Sequence, residues 1–197
     1  MKRDNIRKIT VVAVFSAIAT ILMSFGFPLS AIAPSYLEIE FSDLPALLTS
    51  FSLGPVWGVL VSLIKNLINL TLTKTGGVGE LSNFLLSATF VYISGAIYKR
   101  NKTKRTAFIA TLCGLISTVI ISVFTNYFLV YPVYVELYSF DVVLNMSKAL
   151  IPSIDSTLDI ILIFNAPFTF LKGLLNTILT FIIYKRLSPI IQKGKIR

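Results

Sequence analysis

The stretch from Phe41 to Leu86, FSDLPALLTSFSLGPVWGVLVSLIKNLINLTLTKTGGVGELSNFLL, decides the fold of this chain. It contains two apolar runs that Gly54-Pro55 separates, followed by a glycine-rich turn at residues 76–79. Five polar side chains lie inside or at the edge of this apolar sequence: Lys65, Asn66, Asn69, Glu80 and Asn83. Because hydrocarbon offers no hydrogen-bond partner, each of them needs a partner on another helix or on a solute.

The composition of the chain is that of a membrane protein. Of its 197 residues, 55% are hydrophobic and only 14% are charged, whereas about 25% of the residues of a soluble domain are charged. Apolar runs of about 20 residues recur along the chain, as in transmembrane helices. The sequence therefore predicts an all-α membrane protein that forms a single membrane domain from residue 1 to residue 197.

The apolar runs predict six transmembrane helices, at about 6–25, 43–53, 55–72, 79–98, 106–131 and 160–186. The second is short for a full span. The last apolar region is too long for one straight span, and Pro167 predicts a kink or a restart of the helix near this position. Residues 26–42 and 132–157 are predicted to be loops, and Asp43 is predicted to cap the second helix.

Basic residues predict the orientation of these helices. Most of the 18 Lys and Arg residues lie in three clusters. Four of them precede helix one, five lie between helices four and five, and five lie at the end of the chain. With six spans, all three clusters lie on one side, which is the cytoplasm by the positive-inside rule. The sequence therefore predicts a multi-pass protein of the cell membrane with both termini cytoplasmic. The net charge of +9 is explained by topology, and nucleic acid is not an expected partner.

Several kinds of chemistry are not expected. The chain has no histidine and one cysteine, Cys113, in an apolar run, so we expect no imidazole or thiolate metal site and no His-dependent catalysis. The glycine-rich turn lacks the GxxxxGK[ST] pattern that binds phosphate. We therefore predict that the chain is not an enzyme and carries no cofactor. Uphill transport would depend on an ion gradient or on a separate ATPase subunit.

The polar residues of the last helix share one face. Spacings of four, three, four and four separate Asn165, Thr169, Lys172, Asn176 and Thr180, which aligns them on a helix. Helices three to five also become more polar toward their outer ends, which predicts an outward-facing ligand cavity walled by helices three to six. The alternative is that these groups pair with each other, for instance Lys172 with Glu80. Aromatic residues near the outer ends, Tyr131 among them, could stack on a flat ring, but most of them are expected to form an interfacial belt.

The chain resembles the substrate-binding S components of energy-coupling-factor (ECF) vitamin transporters, most closely their riboflavin-specific RibU type. The resemblance is carried by FSDLPALLTSFSLGPVWGVLVSLIKNLINL, GGVGELSNFL, NYFLVYPVY and, more weakly, FLKGLLNTILTFIIYKRLSP. It implies a six-helix bundle that binds its vitamin at the outer face, below the loop between helices one and two. It also implies as partners a transmembrane T component, which docks on an alanine-rich face of helix one, and two cytoplasmic ATPase subunits. Ala13 and Ala17 match that AxxxA pattern, and their alternative role is packing within the chain.

The resemblance also implies ligand-binding residues. Asn126 in NYF and Lys172 in FLKG match positions that line the riboflavin pocket of relatives. Glu80 and Asn83 match as well, although they could instead order the cavity wall. Relatives often carry asparagine three residues before the lysine. This chain has Thr169 there, and Asn165 one turn earlier is the alternative. We expect the flavin ring to lie among apolar and aromatic side chains, including Leu37, Phe41, Leu44 and Tyr127.

The resulting expectation is a high-affinity riboflavin-binding subunit of an ATP-driven ECF importer, in contact with membrane lipid and with riboflavin or a close flavin as its ligand. The first alternative is an S component for another vitamin, such as thiamine or folate. The second is a stand-alone carrier driven by an ion gradient. A membrane transferase acting on lipid is a more distant alternative, because Asp4 is the only acidic residue expected on the cytoplasmic side.

Overall fold

The computed structural model describes residues 3–30, 32–34, 37–73, 75–138 and 140–193. Lys2, Lys195 and Arg197, which contribute to the predicted orientation, lie outside these residues. The helices are α1 (Arg3–Ser24), α2 (Asp43–Leu53), α3 (Pro55–Asn69), α4 (Val78–Arg100), α5 (Lys104–Thr125), α6 (Tyr131–Tyr138), α7 (Phe140–Lys148), α8 (Thr157–Ile160) and α9 (Ala166–Lys193). Two short antiparallel strands, β1 (Phe27–Pro28) and β2 (Glu38–Ile39), lie between α1 and α2.

Five helical segments in the described part of the chain are long and apolar enough to cross a membrane. They are Asp4–Ser24, Pro55–Leu72, Val78–Arg100, Lys104–Glu136 and Thr157–Ile183. Helix α2 has 11 residues and is about 16 Å long, roughly half the thickness of the hydrocarbon core. The described part of the chain therefore has five candidate spans where the sequence predicts six.

Helix α2 is an internal helix. Every residue from Asp43 to Phe51 is buried, and the helix contacts α1, α3, α4 and α9. The Ser50 hydroxyl donates to the carbonyl of Val91 in α4 at 2.6 Å. Gly95 permits this close approach, because a Cβ atom there would collide with the Ser50 side chain. Helix α2 thus occupies the centre of the bundle.

Contacts at the two ends of the bundle establish the direction of the first four helices. Near the start of α1, the Lys8 ammonium lies 5.9 Å from the Trp57 ring at the start of α3. Near the end of α1, the Met23 sulfur lies 4.0 Å from the Asn83 amide at the start of α4. Helix α1 is therefore parallel to α3 and antiparallel to α4, and the short helix α2 returns the chain between α1 and α3.

The prediction of a loop over 132–157 is wrong for much of its length. Helix continues from Lys104 through Glu136, α6 ends at Tyr138, and α7 covers Phe140–Lys148. A π-helical turn, Asn126–Val130, precedes Pro132. A proline clashes with the carbonyl four residues before it, here that of Phe128, and the wider π turn accommodates this strain without ending the helix.

The same arrangement occurs before Pro167. A π turn, Ile161–Asn165, joins α8 to α9 and ends two residues before this proline, as the first π turn ends two residues before Pro132. At the place where the sequence predicts a kink or restart, the chain therefore changes its helix type. Ser156 and Asp159 form a reciprocal capping box at the start of α8.

A buried ion pair attaches the start of α2 to α3. The Lys65 ammonium lies 2.6 Å from Asp43 Oδ1 and also donates to the Ser42 hydroxyl. Lys65 is completely buried. The predicted capping role of Asp43 is wrong: Ser42 is the N-cap residue, no side chain caps this end, and the Asp43 carboxylate instead binds Lys65.

Removing one member of this pair is expected to destabilise the protein. Lys65→Met leaves the Asp43 carboxylate buried without its counter-charge, which costs about 3–5 kcal/mol. The double variant Lys65→Met with Asp43→Asn removes both charges and is expected to recover much of that loss. Thermal unfolding of the purified variants in detergent measures the effect.

Lys148→Met is the matched control, because it breaks the Lys148–Asp155 pair, whose side chains are 37% and 79% exposed. An exposed pair contributes about 0–1 kcal/mol, so we expect little change. Similar melting temperatures for Lys65→Met and Lys148→Met would contradict a structural role for the buried pair.

Candidate functional site

A cavity of about 710 Å³ lies between α4, α5, α9 and the segment that leads from β2 into α2. The end of α1 and part of α7 also contribute to its wall. Its volume is within the range of small-molecule sites, about 300–1,000 Å³. The charged and amide side chains that line it are Glu38, Glu40, Asp43, Asn69, Glu80, Asn83, Asn126, Asn165 and Lys172.

Lys172 of α9 forms an ion pair with Glu40 at this cavity. The distance between Lys172 Nζ and Glu40 Oε1 is 2.7 Å. The other carboxylate oxygen of Glu40 accepts the backbone N–H of Ser42 at 2.6 Å, and Asn176 donates to the Glu40 carbonyl at 3.1 Å. Helix α9 therefore holds both the side chain and the backbone of Glu40. The alternative pairing of Lys172 with Glu80 is wrong.

Glu40 remains ionised in this buried position. Burial raises the pKa of its carboxyl group, but the positive charges of Lys172 and then Lys65 outweigh this effect and hold the pKa below its usual range. The ammonium groups of Lys172 in α9 and Lys65 in α3 thus both stabilise the Glu40 carboxylate. The segment between β2 and α2 is attached electrostatically on two sides.

Glu80 is satisfied by threonines instead. Its carboxylate accepts hydrogen bonds from Thr73 at 2.8 Å and from Thr75 at 3.2 Å. Glu80 lies in the first turn of α4, where the helix dipole favours a negative charge. The turn before it requires a positive φ at Gly77, which is +90°. Glu80 and Asn83 both line the cavity, and these bonds also order its wall.

A chain of hydrogen bonds, which we call the amide relay, joins α5 to α9. Tyr131 donates to Asn165 Oδ1 at 3.0 Å, Asn165 Nδ2 donates to Asn126 Oδ1 at 2.9 Å, and Asn126 Nδ2 donates to the Ser122 carbonyl at 2.7 Å. Asn126, Tyr131 and Asn165 are buried and line the cavity. The sequence identifies both asparagines as candidates for polar contacts, whereas it gives Tyr131 only as one of the outer aromatic residues, for stacking or for the interfacial belt.

The polar face of α9 is turned toward the cavity in its outer half. Asn165, Thr169 and Lys172 all line it. The sequence offers Thr169 or Asn165 for the polar ligand contact before the lysine, and both residues line the cavity. Further along α9, Asn176 is completely buried and binds the Glu40 carbonyl.

The apolar residues expected around the flavin ring lie in different places. Leu37 lines the cavity. Phe41 packs instead with Phe168 and its neighbours, and Leu44 is a buried residue of α2 outside the cavity lining. Tyr127 is 44% exposed and packs against Phe128. Because Asn126 faces the cavity, the next residue of the helix points about 100° away from it.

Glu40 is the principal residue that the sequence reading does not assign to the site. A lysine inside an apolar span requires a counter-charge, and the acids of the loop before α2 were the available signal. Tyr131 is the second. Its place in the cavity depends on the π turn, which periodicity of 3.6 residues does not reveal.

Ala13 and Ala17 lie on the outer surface of α1. The buried residues of this part of α1 are Val12, Ser16 and Ala19, whereas both alanines are exposed. The alternative role of packing within the chain is therefore wrong for them. Among the described residues, no group of three or more His, Cys, Asp or Glu side chains could hold a metal ion.

Comparisons with known proteins agree on one family. The family model described as "ECF transporter, substrate-specific component" matches residues 7–184. The riboflavin transporter RibU of Staphylococcus aureus is 32% identical over 97% of this chain and 95% of that protein. The riboflavin transporter FmnP of Bacillus subtilis is 29% identical, with 97% of both chains covered.

A solved structure has the same fold. It is described as the S component of a bacterial ECF transporter, and it superposes with a TM-score of 0.76 and 29% identity over 95% of this chain and 98% of that chain. These relatives are transporter components and not enzymes, and the apolar helices fit a multi-pass membrane protein. The chain belongs to the substrate-specific components of ECF transporters.

Proposed function

We propose that this chain is the high-affinity riboflavin-binding subunit of an ATP-driven ECF importer. The observation that carries the proposal is the cavity of about 710 Å³, which combines ionised groups and side-chain amides in a bundle with an apolar exterior. Buried polar groups around a cavity are expected where a ligand supplies part of their hydrogen bonding. The names of the relatives identify riboflavin as that ligand.

The cavity walls suit a flat aromatic ring with polar substituents. Apolar contacts are available from Leu37, Phe90, Leu115 and Phe168, and aromatic faces can stack on the flavin ring. Lys172 and Asn126 supply hydrogen-bond donors, and Glu38, Glu40 and Glu80 supply acceptors for hydroxyl groups. Asn83, Asn165 and Thr169 complete the proposed set of polar contacts.

We further propose six passages through the membrane, with α2 as a short internal passage. Contacts at both bundle ends support this, because α2 returns the chain between the parallel helices α1 and α3. The start of α1, the α4–α5 connection and the end of α9 then lie on the cytoplasmic side with the basic residues. The cavity, at the end of α1 and the start of α4, opens to the outside.

The coupling partners follow from the family. A transmembrane T component and two cytoplasmic ATPase subunits would supply the work of transport, and Ala13 and Ala17 would form part of the contact with the T component. Their exposure on α1 supports this role, because small residues allow another helix to approach closely. Riboflavin uptake in cells without any ATPase subunit would instead favour a stand-alone carrier.

Alanine variants in the cavity test the ligand site. Asn126→Ala and Lys172→Ala are each expected to weaken riboflavin binding by about 1–3 kcal/mol, because each leaves a ligand group without its partner. Isothermal titration calorimetry of the purified protein measures the affinity. Asn126→Ala breaks no ion pair, so its effect is independent of the Glu40–Lys172 contact.

Tyr127→Ala is the matched control, because Tyr127 follows Asn126 directly but is exposed outside the cavity. Its affinity for riboflavin is expected to equal that of the wild type. Unchanged affinity in both cavity variants would reject the site.

The charges of the cavity predict discrimination against phosphorylated flavin. Glu40 and Asp43 are paired with Lys172 and Lys65, whereas Glu38 and Glu80 add two carboxylates to the lining. Flavin mononucleotide carries a phosphate of nearly two negative charges, so we expect it to bind more weakly than riboflavin. Glu80→Gln should reduce the ratio of the dissociation constant for flavin mononucleotide to that for riboflavin. Both constants are measured by quenching of flavin fluorescence. A ratio that stays constant in this variant would argue against electrostatic exclusion.

Bulky substitutions on α1 test the docking surface. Ala13→Trp combined with Ala17→Trp is expected to leave riboflavin binding unchanged and to abolish uptake, because the T component can no longer approach α1 closely. Ile120→Trp with Phe124→Trp is the control, since these α5 residues have the same spacing and are 54% and 55% exposed. Normal uptake by the α1 variant, measured with labelled riboflavin, would remove the docking hypothesis.

A further inference from the structure

The amide relay connects the two π turns among the described residues. The turn Asn126–Val130 contacts the turn Ile161–Asn165, and the relay runs between them from Tyr131 through Asn165 and Asn126 to the carbonyl of Ser122. Three of its four members line the cavity. The direction of its hydrogen bonds therefore determines which groups the cavity offers to a ligand.

The Ser122 carbonyl determines that direction. A carbonyl oxygen can only accept, and this one already accepts the backbone N–H of Asn126. The Asn126 side chain must therefore turn its Nδ2 to Ser122 and its Oδ1 to Asn165. Asn165 in turn presents Nδ2 to Asn126 and Oδ1 to Tyr131, so the Tyr131 hydroxyl is the donor that closes the relay.

The relay leaves donors available. Each asparagine Nδ2 carries two hydrogens, and the relay uses one on Asn126 and one on Asn165. One N–H of each side chain is therefore left for a ligand. Without the Tyr131 hydroxyl, Asn165 Oδ1 would be a buried acceptor that lacks this donor. The present orientation of the Asn165 side chain would then be less stable relative to the flipped one.

The π turn brings Tyr131 to the relay. Residues five apart on an α-helix point about 140° away from each other. In this turn the backbone N–H of Tyr131 binds the carbonyl of Asn126, five residues earlier, which places the two residues one above the other. The π turn before Pro132 thus aligns Tyr131 and Asn126 on the same side of the helix.

We infer that Tyr131 is a positioning residue that selects ligands with a hydrogen-bond acceptor edge. The Ser122 carbonyl orients Asn126. By donating to Asn165 Oδ1, Tyr131 holds Asn165 in the matching orientation, in which its Nδ2 binds Asn126 and keeps one N–H for the ligand. The inference rests on the proposed function, in which the acceptor edge is that of the flavin ring. Ribityl hydroxyl groups can donate or accept, so they fit either orientation of the asparagines. The orientation therefore distinguishes ligands by the acceptors and donors of their rings.

Two flavin analogues without the ribityl chain test this inference. Ring nitrogen N1 is an acceptor in lumiflavin and carries a hydrogen in lumichrome, while the three-ring size is nearly the same. We expect the wild-type protein to bind lumiflavin more tightly than lumichrome. Tyr131→Phe removes only the hydroxyl. It is expected to reduce the ratio of the lumichrome dissociation constant to the lumiflavin dissociation constant about 3- to 10-fold, the effect of one hydrogen bond.

Tyr127→Phe is the matched control, since it makes the same change at an exposed residue of the same helical segment. Its ratio should equal that of the wild type. An unchanged ratio would overturn the inference. If both ligands bound equally more weakly, it would indicate a packing role, and if neither bound more weakly, the hydroxyl would have no effect on the ligand.

The wild-type ratio is informative even if Tyr131→Phe does not fold, because a preference for lumichrome would itself overturn the inference. The proposed function fails separately, if the wild-type protein binds none of riboflavin, lumiflavin and lumichrome.

Discussion

Two buried ion pairs, Glu40–Lys172 and Asp43–Lys65, attach the segment between β2 and α2 to α9 and α3. In a low-dielectric interior, an ionised group without its counter-charge costs several kcal/mol, so loss of one member of a pair is expected to destabilise the protein. The pairs hold the start of α2 in the centre of the bundle, and Glu40, Asp43 and Lys172 also line the cavity. The same charges that join the helices thus form one wall of the candidate site.

Another part of the cavity wall depends on two prolines. Pro132 and Pro167 each follow a π turn by two residues, and the turns place Asn126, Tyr131 and Asn165 beside one another. A regular α-helix would not bring Asn126 and Tyr131 to one face. The π turns therefore accommodate the prolines and supply a row of side-chain amides at the cavity, as π turns often do at functional sites.

Much of this arrangement can be predicted from the sequence, because its signals are local. Apolar runs predict the long helices, the spacing from Asn165 to Lys172 predicts a polar face, and both residues line the cavity. The partner of Lys172 is a tertiary feature, and several outer acids compete for it in the sequence. Its partner is Glu40, whose backbone α9 also binds, whereas Glu80 binds two threonines.

Other features escape sequence reading for geometric reasons. The π turn continues the helix past Pro132, where a regular helix would be expected to end, and it brings Tyr131 rather than Tyr127 to the cavity. Helix α2 is predicted with its observed bounds, but its buried place among α1, α3, α4 and α9 is not evident from its sequence. Both features depend on contacts between helices, which a single run of residues does not encode.

An experimental structure of the purified protein with bound riboflavin would show directly whether these charges and amides form the ligand site. We expect one flavin in the cavity between the Glu40–Lys172 ion pair and the amides of Asn126 and Asn165, with the Asp43–Lys65 pair intact. A flavin bound elsewhere, or a cavity closed by side chains that pair only with each other, would contradict this expectation.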